Sequence, residues 1–73
     1  MTLTTKFQAK NYRGDDIISQ FTFTVTHNSV YNAGEAAEQH LQTIYPGKTA
    51  WNAGKNSGNI YQHNGQVCYF AQV

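Results

Sequence analysis

The sequence predicts a single α+β domain spanning residues 1–73, with one antiparallel sheet of four to five strands and one helix packed on one face. Two observations lead to this prediction. Apolar and polar residues alternate in segments at both ends of the chain, and the spacing becomes helical between them. The predicted order is β-β-α-β-β-β, and a chain of 73 residues has room for one domain with one core.

The first two segments, residues 2–12 and 17–27, alternate with a period of two. Such alternation is typical of strands that bury one face and expose the other. Between them lies the polar stretch Arg-Gly-Asp-Asp at 13–16, in which Gly14 accepts a positive φ without steric cost. The two strands are therefore predicted to form an antiparallel hairpin.

A helix is predicted over roughly residues 30–45. The apolar positions at helical spacing are Ala33, Ala37, Leu41 and Ile44. Pro46 cannot continue a helix and disfavours helical geometry at the residue before it, and Gly47 follows.

The start of this helix shows two local signals. Asn32 followed by Glu35 resembles a capping box, with Ser29 as a rival cap. Tyr31 stands where it would pack on Ala36 as a hydrophobic staple.

The C-terminal part of the chain predicts three further strands. Residues 49–53 are predicted to form a third strand after the helix, and residues 59–63 and 66–71 flank the dipeptide Asn64-Gly65. Asn-Gly between two strand-like runs favours a type I′ hairpin. The last run is apolar on both faces, which predicts a central strand rather than an edge.

The predicted core lies between helix and sheet and comprises Phe7, Phe21, Phe23, Val25, Leu41 and Ile44. One helix covers one face only. The other face is expected to show Thr22, Thr24, Lys6, Gln8, Lys10 and some of the C-terminal tyrosines. That polar, aromatic-dotted face is the predicted binding surface.

The composition favours polar contacts over bulk electrostatics. Charged residues make up 12% of the chain and the net charge is +1, so neither a strong basic excess nor the acidity of a DNA mimic is present. Seven Asn, seven Gln, eight Thr and five Tyr dominate instead. Such a surface suits docking on another protein, because Tyr gives large contact area at low entropic cost. The alternative is that this polar surface only keeps the chain soluble.

The residues that carry chemistry are scattered. Cys68 lies inside an apolar strand, where a small buried hydrophobic role is expected. The three histidines, at 27, 40 and 63, lack the close spacing of zinc ligands, and no phosphate-binding loop is present. The tripeptide at 13–15 predicts a turn rather than an adhesion ligand. The sequence therefore predicts a non-enzymatic binding protein without metal or cofactor.

A second class of partner is single-stranded nucleic acid, because bases stack on aromatic side chains beside basic ones. The opposing interpretation is that the lysines are solvated and protect sheet edges. For either class of partner, the predicted contact residues are Lys6, Lys10, Tyr12, Arg13, Trp51, Lys55 and Tyr61.

The element order, the short length and the Tyr- and Asn-rich composition resemble small phage or mobile-element proteins, of which anti-CRISPR inhibitors are the best-known group. The resemblance concerns size and element order over most of the chain. It implies a non-catalytic inhibitor that docks on a host protein or ribonucleoprotein complex through its sheet face or loops. Docking would block access of that complex to nucleic acid.

The expected location is the cytoplasm. If a phage encodes the chain, this is the cytoplasm of the bacterial host. The first seven residues lack the charged start and apolar run of a signal peptide, and no apolar stretch is long enough to span a membrane. A homodimer through the open sheet face is a further expectation.

Overall fold

The alternating segments form the strands of one five-stranded antiparallel sheet in a computed structural model that describes residues 2–73. The elements are β1 (Leu3–Arg13), β2 (Asp16–His27), α1 (Ala33–Gln42), β3 (Gly47–Trp51), a short 3-10 helix (Ala53–Lys55), β4 (Ser57–Gln62) and β5 (Val67–Gln72). The predicted α+β class and its β-β-α-β-β-β order are thus confirmed.

The strands lie in the order β2-β1-β5-β4-β3, and every neighbouring pair is antiparallel. The last strand of the chain, β5, therefore occupies the middle of the sheet, as its apolar character on both faces predicts. The helix connects the two edge strands, since it follows β2 and precedes β3. In making this connection, the helix covers one face of the sheet.

The hairpin between β1 and β2 has a two-residue turn in which Gly14 takes a φ of 60°. A positive φ at the first turn position is what a type II′ turn requires, and it matches the twist of the flanking strands. The pairing shifts by one residue at Ile18, because Tyr12 is opposite Ile17 and Asn11 is opposite Ser19. This β-bulge turns Ile17 away from the face that strict alternation predicts.

The hairpin between β4 and β5 does not have the predicted type I′ turn. Gln62 pairs with Gln66, and Gly65 donates its N–H to the carbonyl of Gln62. Only Gly65 in this turn has a positive φ, of 86°, whereas type I′ requires two such residues. The Oδ1 atom of Asn64 accepts the N–H of Gln66 at 2.9 Å, which holds Asn64 in a three-residue loop ending in a glycine.

The helix is shorter than predicted and begins without a side-chain cap. It spans Ala33–Gln42 rather than 30–45, and the side chain of Asn32, at the N-cap, makes no capping hydrogen bond. Instead its Oδ1 atom accepts the N–H of Ser29 at 3.3 Å. The predicted capping box is therefore wrong. The predicted staple is also wrong, because Tyr31 is 88% exposed.

The core lies between α1 and the sheet. Its buried residues are Phe7, Ala9, Val25, Ala33, Ala37, Leu41, Ile60, Cys68 and Phe70. The predicted Phe21 and Phe23 are partly buried against this cluster. The predicted core position of Ile44 is wrong: the residue is 47% exposed, because α1 ends before it. Tyr45 occupies the corresponding place, with its ring 6.5 Å from that of Phe21.

Polar side chains fix the end of α1 to the edge strand β3. Gln42 donates from Nε2 to the carbonyl of Gly47 at 2.9 Å and accepts the N–H of the same residue at 3.0 Å. Thr49 donates to the carboxylate of Glu38 at 2.8 Å. At the other end of α1, a Cβ on Gly34 would overlap the carbonyl oxygen of Lys55. The helix is thus fixed against the side of the sheet that contains the core.

Candidate binding face

The sheet face opposite α1 is uncovered, and its side chains follow from the strand register. Directly paired residues of antiparallel strands project to the same face. We call this surface the open face. The paired residues form rows that run across the strands. The first row contains Ile17, Tyr12, Val67, Tyr61 and Lys48, and the second contains Gln20, Lys10, Tyr69, Asn59 and Ala50. The third row contains Thr22, Gln8, Ala71 and Ser57, and the fourth contains Thr24 and Lys6.

Charge is separated between the two sides of the sheet. Lys6, Lys10 and Lys48 project from the open face, whereas no strand residue that the register assigns to that face, among the residues described, is acidic. Glu35 and Glu38 are on α1, on the opposite side, and the two aspartates are at the turn between β1 and β2. The open face is thus positively charged although the chain as a whole is nearly neutral.

Basic and aromatic side chains are neighbours across this face. Lys10 is paired with Tyr69, and Lys48 is paired with Tyr61. Tyr69 and Tyr61 are diagonal neighbours, since Tyr61 is opposite Val67 on β5. Diagonal cross-strand neighbours lie about 7–8 Å apart, within reach of long side chains. We call this series of four residues, Lys10, Tyr69, Tyr61 and Lys48, the Lys–Tyr track.

Four of the predicted contact residues share the open face: Lys6, Lys10, Tyr12 and Tyr61. Tyr61 is 51% exposed, so a large part of its ring is available to a partner. Tyr12 lies in the same row as Tyr61, two strands away, and is half-buried between its neighbours.

The other three predicted residues lie elsewhere. Trp51 is on the core side, where its ring meets that of Phe70 edge-on at 5.7 Å. Arg13 is paired with Asp16 beside the turn, on the opposite face to Tyr12. Lys55 ends the 3-10 helix and contacts α1 through its carbonyl group. Trp51 alternates with Ala50 along β3, so it projects to the core side, and it is opposite Gly58 on β4.

Two members of the Lys–Tyr track, Lys48 and Tyr69, are absent from the predicted contact residues. Tyr69 lies in an apolar run whose two faces cannot be distinguished by alternation, and Lys48 follows directly on the proline and glycine that end the helical segment. The signal that identifies them is pairing: both belong to the Lys–Tyr track only because β3, β4 and β5 are in this register.

Two side chains with catalytic potential, Cys68 and His27, are buried. Cys68 is fully buried in the core, and burial raises the pKa of its thiol from 9.0 to about 11. A protonated, inaccessible thiol is a weak nucleophile. His27 is buried, and its ring nitrogens lie 2.7 Å from Thr5 Oγ1 and 2.8 Å from the carbonyl oxygen of Ser29. Among residues 2–73, no His, Cys, Asp and Glu side chains cluster as metal ligands would.

A second exposed feature is the loop between β2 and α1, residues 28–32. Val30 is 71% exposed and Tyr31 is 88% exposed. The loop is ordered by its own side chains: Ser29 Oγ accepts the N–H of Tyr31 at 3.2 Å, and Asn32 Nδ2 donates to Asn28 Oδ1 at 3.0 Å. These bonds hold two apolar side chains outward.

The fold and the open face together define a small α+β protein with a one-sided sheet and a basic, tyrosine-bearing surface. Compared with protein-family models, curated proteins and solved structures, the chain has no significant match. Within the described residues, no helix combines the length and the apolar character needed to cross a membrane.

Proposed function

We propose that this chain is a non-catalytic binding protein whose open face binds single-stranded nucleic acid. The observation that supports the proposal is the Lys–Tyr track, in which two tyrosines lie between two lysines on a face whose described strand residues include no acidic side chain. Lysines attract the phosphate backbone, and tyrosine rings offer surfaces on which bases stack regardless of sequence.

The dimensions of the face suit an extended strand of nucleic acid. Neighbouring strands are about 4.8 Å apart and successive residues on one face about 6.8 Å apart. On that grid Lys6 and Lys48 are separated by three strands and three residue rows, which corresponds to about 25 Å. Several nucleotides can therefore lie across the sheet, with the phosphates near lysines and the bases near Tyr69 and Tyr61.

The charge of the open face also distinguishes between partners. A protein that occupied the nucleic-acid channel of a host complex would need acidic groups to match the basic residues there. The open face has the opposite sign. It therefore favours nucleic acid itself, free or bound within a ribonucleoprotein, over the channel that holds it.

The test is equilibrium binding to a fluorescently labelled oligothymidylate or oligouridylate at low salt. Replacing Tyr61 by Ala removes one stacking surface, and such losses amount to about 1–3 kcal/mol per base, or about 5- to 150-fold in Kd. The matched control is Tyr31→Ala, which removes an even more exposed tyrosine from the loop on another side of the molecule. No binding by the unaltered chain, or equal losses in the two variants, would refute the proposal.

A second candidate is the inhibitor that the resemblance implies, which docks on a host protein complex and blocks access to nucleic acid. The specific observation in its favour is the loop 28–32, whose internal hydrogen bonds present Val30 and Tyr31 to solvent. Pre-ordered loops rich in Asn and Ser with an exposed tyrosine are typical of protein-binding surfaces, because less entropy is lost on docking.

This second candidate makes the reverse prediction for the same pair of variants. A partner protein captured from a bacterial lysate should be lost with Tyr31→Ala and kept with Tyr61→Ala. As a further control, reversing Lys6 and Lys10 to Glu should abolish binding to nucleic acid and leave capture by the loop unchanged. Capture that depends on Lys6 and Lys10 but not on Tyr31 would count against docking through the loop.

A further inference from the structure

The outer side of β2 is an unpaired strand edge. β2 is the first strand in the sheet order and pairs with β1 alone. In the part of the chain that the structure describes, no other strand pairs with that outer side. An unpaired edge presents a row of backbone N–H and C=O groups whose natural complement is another strand.

From residue 19 onward, β2 lacks the features by which edge strands usually avoid pairing. Residues 17–26 contain no charged residue, no proline and no glycine. The β-bulge at Ile18 lies near the turn and leaves the remaining stretch, residues 19–27, in regular register. The opposite edge is different: β3 has five residues, follows Pro46 and contains Lys48, all of which discourage edge pairing. One edge of the sheet is protected and the other is not.

The regular part of β2 is complementary to itself in the antiparallel sense. A twofold axis at Phe23 pairs all of residues 19–27 with the same stretch of a second copy. It places Phe23 opposite Phe23, Thr22 opposite Thr24, and Phe21 opposite Val25. Core-side residues then meet core-side residues, as antiparallel pairing demands. Aromatic, β-branched and Thr–Thr pairs of this kind each stabilise a sheet.

The residues at this edge have surface left to bury. Phe21 and Phe23 pack against the core but are only partly buried, because no strand lies beyond them. The net charge of +1 gives two copies little mutual repulsion. Twofold pairing of one patch with itself is also the commonest form of association between identical chains.

We propose that two copies of this chain associate through β2, edge to edge and antiparallel about Phe23, into one continuous ten-stranded sheet. This arrangement differs from the dimer through the open face that the sequence predicts, because it leaves both open faces free on the same side of the joined sheet. The proposal is independent of the proposed function.

The test uses charge at the two threonines that meet across the axis. Thr22 and Thr24 are exposed on the open face, so lysine or glutamate is accommodated there without entering the core. The variant Thr22→Lys/Thr24→Lys places like charges directly opposite each other, and so does Thr22→Glu/Thr24→Glu. Each variant alone should be monomeric. A mixture of the two should restore the dimer, because lysines then face glutamates.

Molar mass is measured by light scattering during size exclusion, with circular dichroism as the check that each variant is folded. The unaltered chain should approach twice 8.2 kDa as its concentration rises. The control is Ala50→Lys, which adds a lysine on the open face at the opposite edge and should leave the dimer intact.

Three results would overturn the proposal. The first is a chain that stays monomeric up to about 1 mM, a concentration at which even a binding free energy of about −4 kcal/mol would be detected. In that case the partner of the β2 edge would be an extended segment of another protein. The second is a dimer that persists in the lysine variant. The third is a folded mixture of the two charged variants that remains monomeric.

Discussion

Replacing Lys6 by Gln separates the electrostatic part of binding at the open face from the stability of the fold. Lys6 is exposed on β1 and is paired with Thr24, so its ammonium group contributes nothing to the core. Gln keeps most of the aliphatic length and removes the charge. If the open face binds single-stranded nucleic acid, the substitution removes one of three lysines that neutralise phosphates.

The size of the effect follows from counterion release. For single strands, the slope of log K against log salt is about −0.7 for each phosphate neutralised. Three lysines give a slope of about −2, and a rise from 50 to 200 mM salt then weakens binding by about 20-fold. With Lys6 replaced, two lysines remain, the slope becomes about −1.4 and the same rise in salt costs about sevenfold.

The assay is fluorescence anisotropy of a labelled oligothymidylate over that range of salt. The matched control is Lys55→Gln, the same charge change at a residue whose position lies outside the open face. The control should retain the slope of the unaltered chain. Equal slopes for Lys6→Gln and the unaltered chain, or equal reductions in both variants, would show that the open face does not neutralise the phosphates.

Two further predictions concern the core. Gly58→Ala should destabilise the fold by about 1–3 kcal/mol in chemical denaturation, because the added Cβ would lie 2.9 Å from the carbonyl oxygen of Ala50 and 3.2 Å from the ring of Phe70; an unchanged unfolding midpoint would contradict this packing. The raised pKa of Cys68 predicts that the free energy of unfolding falls by about 2–3 kcal/mol as the pH rises from about 9 to about 11. The reason is that the thiol ionises at a lower pH in the unfolded chain than in the core. Cys68→Ala should lack this part of the alkaline decline, and identical pH profiles for the two proteins would refute the assignment.

Strand and helix identities could be predicted because periodicity reports which side of an element is buried. The alternation over β1 and β2 reflects burial of one face, and the apolar run of β5 reflects burial of both faces. These burial patterns were enough to predict the fold class. Phe7, Val25 and Leu41 follow directly from it. The helix interior was predictable for the same reason.

Details that depend on local hydrogen bonding were not predictable. Asn32 has the right chemistry and position for a cap, but its Oδ1 atom accepts from Ser29 within the preceding loop. Asn64 likewise accepts from Gln66 and keeps a negative φ, so the hairpin takes a longer turn. In both places the side chain of an asparagine accepts a backbone N–H within a loop, and the sequence does not rank that local bond against a helix cap or a tighter turn.

The polar character of the open face could be predicted from the sequence, but not all of the residues that form it. Alternation assigns Lys6 and Lys10 to it, because β1 has a polar and an apolar face. The Lys–Tyr track also requires the relative register of β3, β4 and β5, and a slip of one residue would move Tyr61 or Tyr69 to the other side. The bulge at Ile18 shows how one inserted residue changes the face of its neighbours.

The face and the edge of the sheet are used by different groups, so the two proposals can fail separately. Nucleic acid would contact side chains that project from the open face, whereas a second copy would contact backbone groups in the plane of β2. Lys6→Gln should therefore reduce the salt slope without changing molar mass. Pairing through β2 would also join the two open faces into one surface with six lysines and two Lys–Tyr tracks. All of these side chains would project to the same side of the joined sheet. If both proposals hold, a longer oligonucleotide that spans the twofold axis should bind more tightly than one that covers a single sheet, because its second contact is intramolecular.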